Sequence, residues 1–224
     1  LRPFARGSGR RPASEQDSAG TRWLRPSLVE HKDDVAGRDR ALVEAVLSGR
    51  DGAFAALVER HQGLVWHLVY RMVRHPEDCR ELCQEVFMRV HDKLAQFRFD
   101  SSLATWIGRV AFSICARHLQ RKRLPMIEQG DADMPPVETA TDDFDLAAAC
   151  ADQQLMGFLH DALEELPPVS RTALTLYYLE EMSVGEVSVI MEKPEGTIKN
   201  LLFRARSRLR SKLQQYLEPS NEGK

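Results

Sequence analysis

The chain has 224 residues with 31 Lys and Arg against 33 Asp and Glu, a formal net charge of −2, and 43% hydrophobic residues. That length allows one large domain or two small ones, each with a modest core, and no apolar run approaches the roughly 20 residues that a membrane span requires. The four cysteines (Cys79, Cys83, Cys115 and Cys150) show neither a CxxC pair nor the regular spacing of a disulfide framework.

The first residues, LRPFARGSGRRPASEQDSAG, are polar and interrupted by Pro3, Gly7, Gly9 and Pro12. They lack the apolar core of a signal peptide, and their prolines and glycines would break the amphipathic helix of a transit peptide. Residues 1–36 therefore read as a disordered leader without assigned function, on a cytoplasmic protein.

Helical periodicity begins in RDRALVEAVLSGR, where Leu42, Val43, Val46 and Leu47 share a face and Ser48-Gly49 ends the helix. In the next segment Phe54, Leu57, Val58, Val65, Leu68, Val69 and Met72 keep a period near 3.6 across Gly63. Pro76 ends that helix, and Pro76-Glu77-Asp78 opens a third, with acids in the first turn where the helix dipole favours them; it is expected to reach about Phe97. After RFDSS a fourth helix is expected over LATWIGRVAFSICARHLQRKR, capped by Ser101 or Ser102. His75, Cys79 and Cys83 recur at intervals of four and could begin a zinc site, but no fourth ligand is evident and Pro76 separates His75 from the helix. The expectation is no metal and no cofactor.

Charge is segregated along the chain. Residues 124–152 hold Glu128, Asp131, Asp133, Glu138, Asp142, Asp143, Asp145 and Asp152 and not one Lys or Arg, whereas bases prevail from Lys193 onward. The acidic stretch carries Gly and two adjacent prolines without apolar period, so it reads as a linker. The expected fold is all-α: two small helical domains at residues 37–123 and 150–217, joined by a flexible acidic linker at 124–149 and followed by a tail at 218–224.

Bases and aromatics meet twice. The fourth helix carries Trp106, Arg109, Phe112, Ser113, Arg117, Arg121 and Lys122, just after Phe97, Arg98 and Phe99. Cations that neutralise phosphate beside rings that stack on unpaired bases suit single-stranded nucleic acid, although a solvated basic face over an aromatic core has the same spacing. In LPPVSRTALTLYYLEEMSVGEVSVIMEKPEGTIKNLLFRARSRLRSKL, Ser183 and Glu186 have the spacing of a capping box and Pro194 opens a basic helix. Helix, tight turn and basic second helix is the helix-turn-helix plan, whose second helix enters a major groove. There Ile198, Leu202, Ala205 and Leu209 form the apolar stripe, leaving Lys199, Asn200, Phe203 and Arg204 on polar faces. The stripe is too narrow for a membrane-surface helix.

Together these segments resemble the sigma-70 family of bacterial transcription initiation factors, in its compact extracytoplasmic-function group. The resemblance is carried by EDCRELCQEVFMRVHDKLAQFRFDSSLATWIGRVAFSICARHLQRKR and LEELPPVSRTALTLYYLEEMSVGEVSVIMEKPEGTIKNLLFRARSRLRSKL. It implies a protein without catalysis of its own that binds core RNA polymerase, directs it to promoter DNA, and assists promoter opening, with anti-sigma factors as common partners in the family. The resemblance further implies polymerase contacts at Glu81, Leu82, Gln84 and Glu85, with residues 37–123 as sigma region 2. The −10 element falls to Arg98, Trp106, Arg109, Ser113, Arg117, Arg121 and Lys122. The −35 element falls to Thr197, Lys199, Asn200, Phe203 and Arg204, with residues 150–217 as sigma region 4. Many relatives have Gly where Phe99 stands, Asn at Ser113 and Arg at Leu201, so base preference is expected to differ at these points. A one-component regulator that binds DNA without polymerase is the alternative, and a purely protein-binding helical adaptor a third class. No Gly-rich phosphate loop or nucleophile motif marks an enzyme.

Overall fold

The computed structural model describes residues 28–122 and 153–217, and no strand occurs among them. The expected linker, the tail and residues 1–27 of the expected leader lie outside the described residues. The first helix, α1 (Leu28–Leu47), begins well before the expected start at residue 37, so residues 28–36 are helical rather than leader. After Gly52, whose φ of 76° places it in the left-handed region, α2 runs unbroken from Ala53 to Val73. It buries Leu57, His61, Leu64, Val65, Leu68, Val69 and Met72, an apolar stripe with a histidine in it. Arg74, with φ of 68°, turns the chain out of α2.

Pro76 opens α3 (Pro76–Lys93), where its missing N–H costs nothing, and Glu77 and Asp78 occupy the first turn. The helix ends at Lys93 and tightens into a 3₁₀ turn at Leu94–Gln96, short of the expected Phe97. Ser102 caps α4 (Leu103–Arg121) by accepting the Thr105 N–H at 3.1 Å. Helices α2, α3 and α4 pack on one another and α1 lies against α2.

The second half contains α5 (Gln153–Glu164), α6 (Pro168–Leu174), α7 (Val184–Met191) and α8 (Glu195–Leu217). A π-helical turn at Thr175–Leu179 extends α6, with the Glu180 N–H donating to the Thr175 carbonyl five residues back. The capping box at α7 is complete: Ser183 Oγ accepts from the Glu186 N–H, and the Glu186 carboxylate accepts from the Ser183 N–H at 2.8 Å. Glu192, with φ of 53°, makes the tight turn, and the Pro194 carbonyl accepts the Ile198 N–H in the first turn of α8.

The two halves are docked. Helix α4 packs on α7 and α2 on α6, and a single apolar cluster runs from Val43 and Leu57 through Ile107 and Ile190 to Leu209 and Leu213. At the crossing of α4 and α7 the Ile190 side chain packs on Gly108, and a Cβ added there would lie 2.9 Å from Ile190 Cδ1, so any larger residue would make that side chain shift.

Candidate nucleic-acid interface

The basic helix α8 sorts its residues as the periodicity predicts. Ile198, Leu202, Ala205 and Leu209 are buried, which fixes the helix against α6 and α7. Thr197 and Lys199 are exposed, and Asn200, Phe203 and Arg204 are half-buried on the outer faces. Lys199 lies 3.8 Å from Glu195 one turn earlier, an exposed pair that contributes at most about 1 kcal/mol and yields readily to a phosphate. Leu201 is buried in the cluster, so the substitution expected to alter base preference is a core residue in this arrangement.

The second basic site gathers on α4 and the loop before it. Phe97 packs against Phe99 with ring centroids 4.6 Å apart and against Trp106 at 5.4 Å. Phe97 is buried while Phe99 and Trp106 are half-buried, so an aromatic ledge emerges from the core at the loop. Phe99 has φ of 59°, where a side chain other than glycine costs on the order of 1–3 kcal/mol. Arg98, Arg109, Ser113, Arg117, Arg121 and Lys122 are all exposed. Arg98 is 4.0 Å from Asp100, and Arg117 Nε donates to the Ser113 carbonyl at 3.4 Å. Phe112, read with this face in the sequence, is instead buried, because α4 turns that side toward the core. Lys122 is bonded to Asp78 of α3, and this bond, with His118 and His75 nearby, holds the Asp78 carboxyl below its ordinary range.

In the first half, α2 and α3 also leave between them an apolar groove of about 860 Å³. Phe54, Val58 and Trp66 line it from α2, and Cys83, Phe87 and Met88 from α3, with Gln84 at its edge. Trp66 is 40% and Met88 68% exposed, unusually high for such side chains. Of the expected polymerase contacts, Glu81 and Gln84 are exposed and Glu85 half-exposed, but Leu82 is buried. Leu82 shares the inward face of α3 with Cys79, Val86 and Val90, so in this arrangement it supports the helix from below. Trp66 and Met88 were missed in the sequence because each interrupts the polar side of an otherwise regular helix; that interruption was the available signal.

The thiols behave as small apolar residues. Burial pushes Cys83 up to about 11 and raises Cys79 and Cys115 as well, which keeps them protonated and poor ligands. Among the described residues no group of three or more His, Cys, Asp or Glu side chains is placed to hold a metal ion.

The docked halves also tie up part of the basic surface. Arg109 Nε donates to Glu192 in the turn of the helix-turn-helix at 2.8 Å. His67 Nδ1 lies 2.6 Å from Glu180, and Glu164 accepts from Arg74 at 2.6 Å and Arg71 at 3.3 Å. The buried Arg171 donates to the Glu164 carbonyl at 3.0 Å, and burial together with Arg74 and Arg71 lowers its pKa to about 10. One carboxylate thus faces two guanidinium groups across the seam, Arg71 and Arg74, and a third, Arg171, from its own half.

Comparison with known proteins supplies the family context. The model for sigma-70 region 2 matches residues 57–124, and that for sigma-70 region 4 matches residues 159–209. The RNA polymerase sigma-H factor of Pseudomonas aeruginosa is 31% identical over 185 residues, covering 80% of this chain and 96% of the relative. The ECF RNA polymerase sigma-E factor of Haemophilus influenzae is 34% identical over 181 residues, with 79% and 95% covered. Two solved structures share the fold. CnrH in complex with the cytosolic domain of CnrY superposes with a TM-score of 0.55 at 22% identity, covering 79% of this chain and 97% of that one. The sigma factor RpoE in complex with the anti-sigma factor NepR from Bartonella quintana gives 0.53 at 20% identity, covering 73% and 98%.

Proposed function

The chain belongs to the sigma-70 family, in its ECF group, and from that premise we propose where this promoter-specificity factor for core RNA polymerase carries its three working surfaces. Residues 37–123 act as region 2, which docks on polymerase and handles the −10 element; residues 150–217 act as region 4, which reads the −35 element. The observation that carries the reading is the arrangement on α8: a buried stripe and a complete capping box hold the helix so that Thr197, Lys199, Asn200, Phe203 and Arg204 lie on its outer faces. A helix presented in this way inserts its N-terminal residues into a major groove.

Promoter opening falls to the ledge of Phe99 and Trp106 and to Arg98, Arg109, Ser113, Arg117, Arg121 and Lys122. Rings stack on unpaired bases while the cations follow the backbone. Glu81, Gln84 and Glu85, with the neighbouring apolar groove, form the surface for polymerase. The factor works without catalysis of its own and in the cytoplasm, where its polymerase operates; among the described residues no helix is long and apolar enough to cross a membrane. An anti-sigma factor is a further partner, by analogy with the complex of RpoE and the anti-sigma factor NepR.

The test is transcription in vitro. Mapping RNA 5′ ends after overexpression locates the promoters, and run-off from them should appear only when the chain is added to core polymerase. Lys199→Ala and Arg204→Ala should each weaken use of the −35 element and flatten the salt dependence of binding by about 0.9 for each phosphate no longer neutralised. Trp106→Ala should impair opening while polymerase binding persists. Unchanged transcription from all three variants would refute the assignment, and sequence-specific binding that needs no polymerase would favour the one-component regulator.

A further inference from the structure

Helix α1 lies outside both segments matched by the family models, which cover residues 57–124 and 159–209. Two of its consecutive residues nevertheless grip the loop that leads into α4. Asp39 is buried, accepts the N–H of Leu103 at 3.3 Å, and pairs with Arg60 of α2 at 3.0 Å. It therefore fixes the first residue of α4 from the side, in addition to the Ser102 cap. Arg40, the next residue, reaches the other way. Its guanidinium carbon lies 4.6 Å from the centroid of the Phe99 ring, within the range of a cation–π contact.

Phe99 is an unusual residue to hold. Its backbone is left-handed, a conformation that glycine adopts freely and phenylalanine does not. Such a conformation persists only where its surroundings over-determine it, and here the surroundings are Arg40 on the ring and Phe97 beside it. The ring is half-buried, so it is held at the surface rather than absorbed into the core. Arg40 itself is exposed and contributes nothing to the apolar cluster.

We infer that Phe99 stacks on an unpaired base of the −10 element and that Arg40 of α1 is the positioning residue that holds the Phe99 ring for it. This rests on the assignment of α4 and its loop to promoter opening. Arg40 acts through Phe99: it restricts the ring to one orientation before the base arrives, so less ordering remains at the moment of opening. Asp39 sets the height of the loop relative to α4 from the same helix. Opening at one −10 position then depends on α1, a helix that need not touch DNA.

The experiment uses core polymerase, the full chain and a promoter located by 5′-end mapping, with 2-aminopurine placed singly along the non-template −10 strand. Phe99→Leu should lower open-complex formation roughly tenfold, as loss of one stacked base predicts. The loss should be concentrated at one 2-aminopurine position, and Phe99→Tyr should restore it. Arg40→Ala should lower opening about threefold at that same position, with Arg40→Lys intermediate. The double variant Arg40→Ala/Phe99→Leu should be no worse than Phe99→Leu alone. Arg40 is exposed, so its variants fold; thermal unfolding and retained polymerase binding serve as controls for those at Phe99. Additive losses, losses spread evenly along the −10 strand, or full opening by Arg40→Ala would overturn the inference. Trp106→Ala separates the two levels: if it impairs opening while Arg40 and Phe99 variants do not, the inference about Phe99 and Arg40 fails and the −10 assignment stands. If it also leaves opening intact, the −10 assignment fails and this inference with it.

Discussion

His61 is a histidine on the buried stripe of α2, and its Nε2 has no hydrogen-bond partner among the described residues. Burial, with the Arg60 guanidinium adding to it, pushes its pKa down to about 4 from an ordinary 6.5. In the unfolded chain this histidine takes up a proton near its ordinary pKa, and in the folded one only near 4. The stability it permits is therefore complete above about pH 6.5 and is lost as pH falls toward 4, at up to about 1.4 kcal/mol per pH unit. Asp39 acts in the opposite sense, because burial raises its pKa and protonation relieves its desolvation at acid pH. Denaturant titrations between pH 7 and 4 should show the loss in the native chain and a flatter profile in His61→Leu. Single residues were legible where their geometry is local: Ser183 and Glu186 satisfy one another three positions apart, and no distant contact decides the matter. Leu82, Phe112 and Leu201 were not, because periodicity gives a face but not how wide a neighbouring helix covers it. Arg40 and Phe99 meet only through the packing of α1, and no spacing in the sequence announces that.

At the scale of elements, the helices were recoverable because each has its own punctuation. Pro76 and Pro168 start helices, Gly52 and Pro194 precede them, and Ser102 and Ser183 cap them. The beginning of α1 was missed because residues 28–36 are polar and lack a strong apolar stripe, so composition spoke for a leader. The π-helical turn at Thr175–Leu179 had no sequence marker either. The groove between α2 and α3 is an element-level property, since neither helix alone shows it. Met88, exposed at its edge, contributes little to folding, so Met88→Asp should leave thermal stability within about 0.5 kcal/mol. It should weaken binding to core polymerase by an order of magnitude, measurable by competition with a labelled native chain. An unchanged affinity would remove the groove from the polymerase surface.

At the scale of the molecule, the two expected helical domains are packed on one another through α2, α4, α6 and α7, while the expected linker lies outside the described residues. This packing has no sequence signature, because it depends on complementary faces of helices far apart in the chain. It also sets a geometric condition on function. Elements centred at −10 and −35 are separated by roughly 25 base pairs, or about 85 Å along B-form DNA at 3.4 Å each. Helix α4 packs on α7, on which α8 also packs, and axes of packed helices lie about 8–10 Å apart, so the docked arrangement does not set α4 and α8 that far apart. With α4 and α8 in the roles proposed for them, promoter binding requires the halves to separate. Glu164 is the point at which the seam is most vulnerable, since its loss leaves Arg71, Arg74 and the buried Arg171 facing one another. Glu164→Gln should weaken the docked state by about 2 kcal/mol, less than for a fully buried pair because Arg71 and Arg74 are partly in solvent. Energy transfer between dyes on α3 and α8 would fall in that variant, and a value equal to that of the native chain would contradict the role given to Glu164.

The bond between Arg109 and Glu192 gives this condition a thermodynamic form. A cation assigned to the −10 strand is held by an acid from the turn that leads into the −35 helix. With Arg109 in that role, binding to DNA would exchange the carboxylate for a phosphate and cancel part of the electrostatic gain. Added salt then acts twice with opposite sign, easing the exchange by screening the internal pair and penalising the complex by screening the phosphates. The pair is exposed, so it offsets only a small part of the salt dependence that the phosphates impose.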